Sequence, residues 1–159
     1  MYSFRRGRKF DQPLWCYQSA TYAHPGVGQS TGYDYSRLQN PTREHLEKTV
    51  ASLENGIDAL AFSSGMAAIT LMMELFKPGD HLIVDADLYG GSIRLFNHVS
   101  EKNGIEFSSV DCHKENVAAY IRENTKAVYI ETPTNPMMNV TDIKALAEIT
   151  KKHNLLLIV

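Results

Sequence analysis

The sequence predicts an α/β protein: a mostly parallel sheet with helices on both faces, preceded by an extended N-terminal arm. Three observations carry this expectation. From Thr42 onward, short apolar runs alternate with segments of helical period. The last of them, Leu155-Leu156-Leu157-Ile158-Val159, is unbroken, as expected of a buried strand of a parallel sheet. Residues 1–41, by contrast, sustain no period of either kind.

The arm is rich in Tyr, Gly, Pro, Gln and Ser, and a segment such as His24-Pro25-Gly26-Val27-Gly28 is turn chemistry. An irregular stretch of this length is expected to be functional or packed on a partner. Residues 1–41 are therefore expected to be an inter-subunit arm, and 42–159 an α/β domain. Thr42 is the expected N-cap of a first helix with Leu46, Val50 and Leu53 at helical spacing, closed by Asn55-Gly56. Ile57–Phe62 reads as a strand. Met66–Phe76 is apolar nearly all round and is expected to be a deeply buried helix, ended by Lys77-Pro78-Gly79-Asp80. Strands follow at His81–Val84, Ile105–Val110, Lys126–Ile130 and Leu155–Val159. Helices are expected at Ser92–Lys102, Glu115–Asn124 and Asp142–His153. Five strands alternating with helices mean right-handed βαβ units.

Composition narrows the function classes. The 159 residues are 43% hydrophobic and 21% charged, with a net charge of −2, ordinary for a globular domain and without the basic excess of a nucleic-acid binder. The one basic run, Arg5-Arg6-Gly7-Arg8-Lys9, reads as a solvated tail. No stretch reaches the roughly 18 apolar residues of a membrane helix, and no signal peptide is evident. Cys16 and Cys112 have no metal or redox spacing, nor do the six histidines, so two free thiols in a reducing cytoplasm and no metal are expected.

The chemistry-bearing residues fall in loops that follow the strands, at the carboxyl edge where a ligand binds an open α/β sheet. Ser64-Gly65-Met66 opens a helix, and the free N–H groups there can cradle an anion such as a phosphate. The segment lacks the Gly-Lys-Ser/Thr ending of a Walker loop, and no Gly-x-Gly-x-x-Gly follows any strand. Tyr89 precedes Gly90 and Gly91, which let a flat ligand approach backbone beside an aromatic ring. Glu131-Thr132-Pro133-Thr134-Asn135-Pro136 offers Glu131 and Asn135 from a loop stiffened by two prolines. In the arm, Tyr35 and Arg37 have the makings of a phosphate clamp.

Taken in order, Tyr35-Ser36-Arg37-x-x-Asn40-Pro41-Thr42, Ser63-Ser64-Gly65-Met66-Ala67-Ala68, Asp87-Leu88-Tyr89-Gly90-Gly91 and Glu131–Pro136 resemble the Cys/Met-metabolism family of pyridoxal-phosphate enzymes. These include cystathionine γ-synthase, the cystathionine γ- and β-lyases, methionine γ-lyase and the O-acylhomoserine sulfhydrylases. The resemblance covers roughly residues 17–159. It implies a fold-type I large domain, pyridoxal 5'-phosphate as cofactor, an amino-acid substrate and a homo-oligomer that is a dimer of dimers. It also implies roles for individual residues. Ser64, Gly65 and Met66 would hold the cofactor phosphate. Tyr35 and Arg37 would clamp the phosphate of a neighbouring subunit. Tyr89 would stack on the ring and help move protons, and Asn135 would meet the ring's phenolic oxygen on a loop supported by Glu131. Methionine γ-lyases usually carry Cys where this chain has Gly91, which favours the cystathionine or homoserine-ester branch.

The family's ring-nitrogen Asp would follow directly after Val159, and its Schiff-base Lys, in a Ser-x-Thr-Lys setting, occurs nowhere in the sequence. Lys77, Lys114, Lys126 and Lys144 read as solvated surface. The domain is therefore expected to be incomplete at its C-terminus and inactive alone. Two other readings are a nucleotide-binding or redox domain, opposed by the missing glycine fingerprint, and a non-catalytic fragment that joins a full-length subunit.

Overall fold

The computed structural model describes residues 16–159; the basic run Arg5–Lys9 lies outside them. The described residues fall into two compact units, 16–61 and Phe62–Val159.

In the first unit, irregular chain is held by a few backbone contacts. Thr21 and Tyr35 form an antiparallel bridge, and Ser36 N–H donates to the Ala20 carbonyl at 2.9 Å. Helix α1 (Pro41–Leu53) starts two residues earlier than a Thr42 cap would allow. Asn40 is the N-cap: its Oδ1 accepts the N–H groups of Thr42 (2.9 Å) and Arg43 (3.3 Å). Pro41, which has no N–H to satisfy, sits at the first helical position. The other end of the same amide gathers the arm, since Asn40 Nδ2 donates to Tyr17 O, Tyr22 Oη and Ser36 Oγ at 3.0–3.1 Å. Asn55 has φ of 53° and Gly56 N–H returns to the Ala51 carbonyl, closing the helix as the Asn-Gly pair predicts. The stripe Leu46, Val50 and Leu53 is exposed, while Ala51 is buried. The predicted strand Ile57–Phe62 is not one. No ladder partner faces it among the described residues, and Ile57 and Leu60 are exposed. An apolar run supplies a strand's side chains but not its neighbour.

The second unit is built on a four-stranded, all-parallel sheet of order β2-β1-β3-β4. The strands are β1 (His81–Asp85), β2 (Glu106–Val110), β3 (Thr125–Tyr129) and β4 (Leu156–Ile158). Strand pleat divides the core in two. Leu82, Val84, Ala127 and Tyr129 face helix α2 (Gly65–Met73) and helix α3 (Gly90–Leu95), together with Met73, Phe76 and Phe96. Phe96 stacks on Phe107 at 5.0 Å and meets Tyr129 edge-on at 5.4 Å. Ile83, Val110, Val128 and Ile130 face the other way, against Val117 and Leu146 of helix α4 (Ile143–Lys152). Helices thus cover both faces, as the apolar central strands β1 and β3 require.

Three helices depart from expectation. α2 buries only Met73, and its Leu71 is exposed; the all-round apolar sequence does not make it a central helix. The helix expected at Ser92–Lys102 opens earlier as α3, then continues through a π turn (Phe96–Ser100) and a 3-10 turn (Glu101–Asn103) to Gly104 at φ 81°. The one expected at Glu115–Asn124 is a single 3-10 turn, Val117–Tyr120. Asn116 caps it through Ala118 N–H, and Thr125 Oγ1 takes Arg122 N–H at 2.7 Å, drawing the chain out of the helix toward β3.

At the amino edge of the sheet, His81 is fully buried with Nδ1 2.7 Å from Thr125 Oγ1 and Nε2 3.0 Å from Ser108 Oγ. Burial holds its pKa below the usual 6.5; Arg122 lowers it further and Glu106 partly opposes this. A depressed folded pKa favours the neutral imidazole. That contribution to stability is complete above about pH 6.5 and is lost as pH falls through the folded value. Urea unfolding followed from about pH 7 to about pH 5 should show falling stability, and His81→Gln should flatten that slope.

Candidate active site

The sheet order places a reversal between β1 and β3. From β1 the chain crosses to β2 on one side, then returns to β3 on the other. Loops leaving the carboxyl ends of the two central strands therefore diverge, and a crevice opens between them. A cleft of about 530 Å³ lies there, lined by Ser64, Gly65, Met66, Tyr89, Ser92, Tyr129 and Glu131, with Ile69, Ile130, Thr132 and Val159 completing it.

One wall is the N-terminus of α2. Ser64 caps it, its Oγ accepting Ala67 N–H at 3.1 Å. The N–H groups of Gly65 and Met66 belong to the first turn and have no intrahelical acceptor. A Cβ built on Gly65 meets nothing within 4 Å, so the backbone faces open space. Such a wall is a donor set for an anion.

The opposite wall comes from the loops after β1 and β3. Tyr89 is half exposed, and its N–H donates to Glu131 Oε2 at 2.9 Å. Its ring lies over Gly91: a Cβ there would stand 2.4 Å from Tyr89 Cε1 and 2.9 Å from Met66 Sδ. The glycine is thus required by close approach. At the floor, Ser92 is fully buried and its hydroxyl has no hydrogen-bond partner. It is near the Tyr129 phenol without meeting it in hydrogen-bond geometry. Burial pushes the Tyr129 phenol up, Ser92 opposes this and Glu131 adds to it. An unpaired buried hydroxyl is costly unless something binds it. At the carboxyl end of β1, Asp85 is buried with Oδ2 unpartnered, and burial raises its pKa.

The structure therefore brings together five of the residues singled out from sequence: Ser64, Gly65, Met66, Tyr89 and Glu131. Asn135 is exposed on the same loop as Glu131 but does not line the cleft. Tyr35 and Arg37 lie in the first unit, where the guanidinium sits 5.3 Å from the Tyr35 ring centroid. Sequence reasoning missed Ser92 and Tyr129. Ser92 follows the Tyr-Gly-Gly run directly and was readable as the inward side of the first turn. Tyr129 looks like one more apolar strand residue until β3 is placed beside α3.

A model of the Cys/Met metabolism PLP-dependent enzyme family matches residues 8–159. The chain is 55% identical over 148 residues to a cystathionine gamma-synthase/O-acetylhomoserine (thiol)-lyase of Bacillus subtilis (strain 168), covering 90% of this chain and 39% of that protein. It is 53% identical over 144 residues to a cystathionine gamma-lyase of the same organism, covering 90% and 38%. The crystal structure of cystathionine gamma-lyase from Lactobacillus plantarum complexed with L-serine superposes with a TM-score of 0.84 at 44% identity, over 91% of this chain and 38% of that one. The chain thus spans under two fifths of the length of these relatives.

The Gly91 geometry yields a direct test. Gly91→Ala should drive the Tyr89 ring away from Met66, abolishing the ring-to-methyl nuclear Overhauser contact. Global stability should fall by about 1 kcal/mol or less, because the half-exposed ring can swing outward. Retention of the contact would show that the ring does not rest on Gly91.

Proposed function

Because the chain belongs to the Cys/Met metabolism PLP-dependent enzyme family, we propose that its cleft holds pyridoxal 5'-phosphate. We further propose that the cleft serves carbon–sulfur chemistry on cysteine-, homocysteine- or homoserine-type amino acids, by elimination or replacement at the γ or β carbon. One observation supports this above others: free helix N–H groups, an aromatic ring and an unpaired buried hydroxyl converge on one cleft at the sheet's switch point.

These residues fit the cofactor. Gly65 and Met66 N–H would hold its phosphate, with the Ser64 cap fixing the helix end that presents them. Tyr89 would lie on the ring, held by its N–H to Glu131, and its phenol would shuttle a proton at the substrate Cα. Ser92 offers a donor at the floor. Asn135 would meet the ring's phenolic oxygen, and Tyr35 and Arg37 would clamp a phosphate in a neighbouring subunit of a dimer of dimers. When bound, the cofactor supplies the electron sink for charge developing at Cα. Gly91 leaves no side chain beside Tyr89, which favours the cystathionine or homoserine-ester branch over methionine γ-lyase.

Among the described residues, no lysine lines the cleft, and Lys77, Lys114, Lys126 and Lys144 are all exposed. We propose that these 159 residues alone bind the cofactor weakly and turn over no substrate. The exposed stripe Leu46, Val50 and Leu53 on α1 favours a second role, as a non-catalytic partner of a full-length subunit. Among the described residues, no helix is long and apolar enough to cross a membrane; a cytoplasmic location is part of the proposal.

Gly65 gives the cleanest test. Ser64 is extended (φ −160°, ψ 160°), a conformation that tolerates a following proline, and Gly65 is the first helical position. Gly65→Pro removes one N–H while keeping the helix; Gly65→Ala controls for the added Cβ. In a phosphorus NMR titration with pyridoxal 5'-phosphate, the proline variant should bind about tenfold more weakly than the alanine variant, one charge-assisted hydrogen bond. Borohydride should trap the cofactor only as scattered labelling of exposed lysines, at the level of a urea-unfolded control, and at no single site. No saturable binding by the wild-type chain would overturn the cofactor reading, and stoichiometric labelling of one lysine would overturn the claim that lysine chemistry is lacking.

A further inference from the structure

Two carboxylates tie the loops after β1 and β3 together in opposite directions. Glu131, just beyond β3, accepts the N–H of Tyr89 from the loop after β1. Asp87, in the loop after β1, accepts in return from the loop after β3: its Oδ2 takes the Thr134 hydroxyl and, at 3.0 Å, the Met137 N–H. The partners are 42, 47 and 50 residues apart in sequence. None of these bonds is local, and all exist because β1 and β3 are neighbours in register, Val84 beside Tyr129.

Thr134 is the centre of its loop. It is 1% exposed. Its Oγ1 accepts Asn139 N–H at 2.9 Å, its N–H donates to the Asn139 carbonyl at 2.9 Å, and its carbonyl accepts Met138 N–H at 3.1 Å. Met138 takes φ of 58° to allow this. The segment 134–139 is thus wound on one side chain, and that side chain is gripped by Asp87. Asn135 rides on the wound segment; Tyr89 stands two residues after the grip.

We propose that Asp87 is a positioning residue that holds the ring-facing half of the cleft, acting through Thr134 and Met137 on the Asn135 loop. This rests on the reading of the cleft as a pyridoxal-phosphate site. The phosphate-facing half does not depend on it, because α2 is capped by its own Ser64. A carboxylate suits this role. One oxygen accepts two donors, and charge makes both bonds strong enough to hold a loop whose own sequence contributes few apolar contacts.

The test compares two ligands on the whole 159-residue chain. Asp87→Ala and Thr134→Val should each weaken pyridoxal 5'-phosphate about tenfold, leaving inorganic phosphate within about twofold of wild type. The loss in the double variant should fall well short of the product of the two single losses, because both variants remove the Asp87–Thr134 bond, while each also removes one bond of its own, Met137 N–H to Asp87 and Asn139 N–H to Thr134. Without any ligand, amide exchange at Met137, Asn139 and Tyr89 should accelerate, and that at Ile83 and Val84 should not. Wild-type affinity in both variants, or unchanged exchange, overturns the proposal. Equal loss of both ligands also overturns it, since that marks general damage. If Asp87→Ala does not fold, Thr134→Val, which keeps shape and removes only the hydroxyl, decides the matter. If the wild-type chain binds neither ligand, the cofactor reading falls and takes the ring assignment with it. If wild type binds and the variants bind equally well, only the role of Asp87 falls.

Discussion

The parallel pairing of β1 with β3 is the constraint on which the second unit depends. Leu82, Ile83, Ala127 and Val128, the middles of these strands, have no solvent exposure at all. The two strands are consecutive in space but separated in sequence by β2, so the chain must reverse its direction of travel across the sheet between them. That reversal opens the crevice at the carboxyl edge. It also brings the Tyr89 loop within hydrogen-bond reach of the Glu131 loop. Burial drives the pairing, and the site follows from it geometrically.

Because side chains alternate across a strand, the same pairing fixes two cores at once. Val84 and Tyr129 point toward α2 and α3, so the face that packs Phe96 is also the face that floors the cleft. Ile83, Val128 and Ile130 point toward α4 and carry no site residues beyond the lining Ile130. A one-residue slip of β3 against β1 would exchange the two sets, removing Tyr129 from the cleft and burying a different row. Register, then, is where packing and the candidate chemistry are coupled.

Much of this was legible in the sequence, and what was not has a common physical cause. Strands β1, β3 and β4 are marked in sequence by the short apolar runs Leu82–Val84, Ala127–Tyr129 and Leu156–Ile158, of which the two central ones are covered on both faces, whereas β2 is interrupted by Ser108 and Ser109 and lies at an edge. Ile57–Phe62 is also mostly apolar and pairs with no strand among the described residues, since a run of side chains is silent about whether a neighbour exists. Glu115–Asn124 has helical spacing at Val117, Ala118 and Ile121, yet Asn116 and Thr125 capture backbone N–H groups and leave one turn. The capping of α1 shows the same competition: Asn40 displaces Thr42 as the cap because its amide can cap with one end and gather the arm with the other. In the site, the residues that stand beside glycine or at a helix start were readable. Tyr129 was not, because its significance lies in being buried near Ser92 across different elements, and Ser92 had only its place after the Tyr-Gly-Gly run to mark it.

The two halves of the cleft therefore differ in how they are specified. The half proposed to take the anion is written locally: a small residue that caps, a glycine with open space before it, and a short helix suffice. Any chain that folds α2 carries it. The half proposed to face the ring is written across the sheet, by Tyr89 to Glu131 and by Asp87 to Thr134 and Met137. It exists only after β1 and β3 have met in register. Hydrogen bonds between loops contribute on the order of 1 kcal/mol each and cannot themselves drive that meeting. They lock what burial has already assembled, so the geometry around Tyr89 is a consequence of the core and not of the loop sequences that display it.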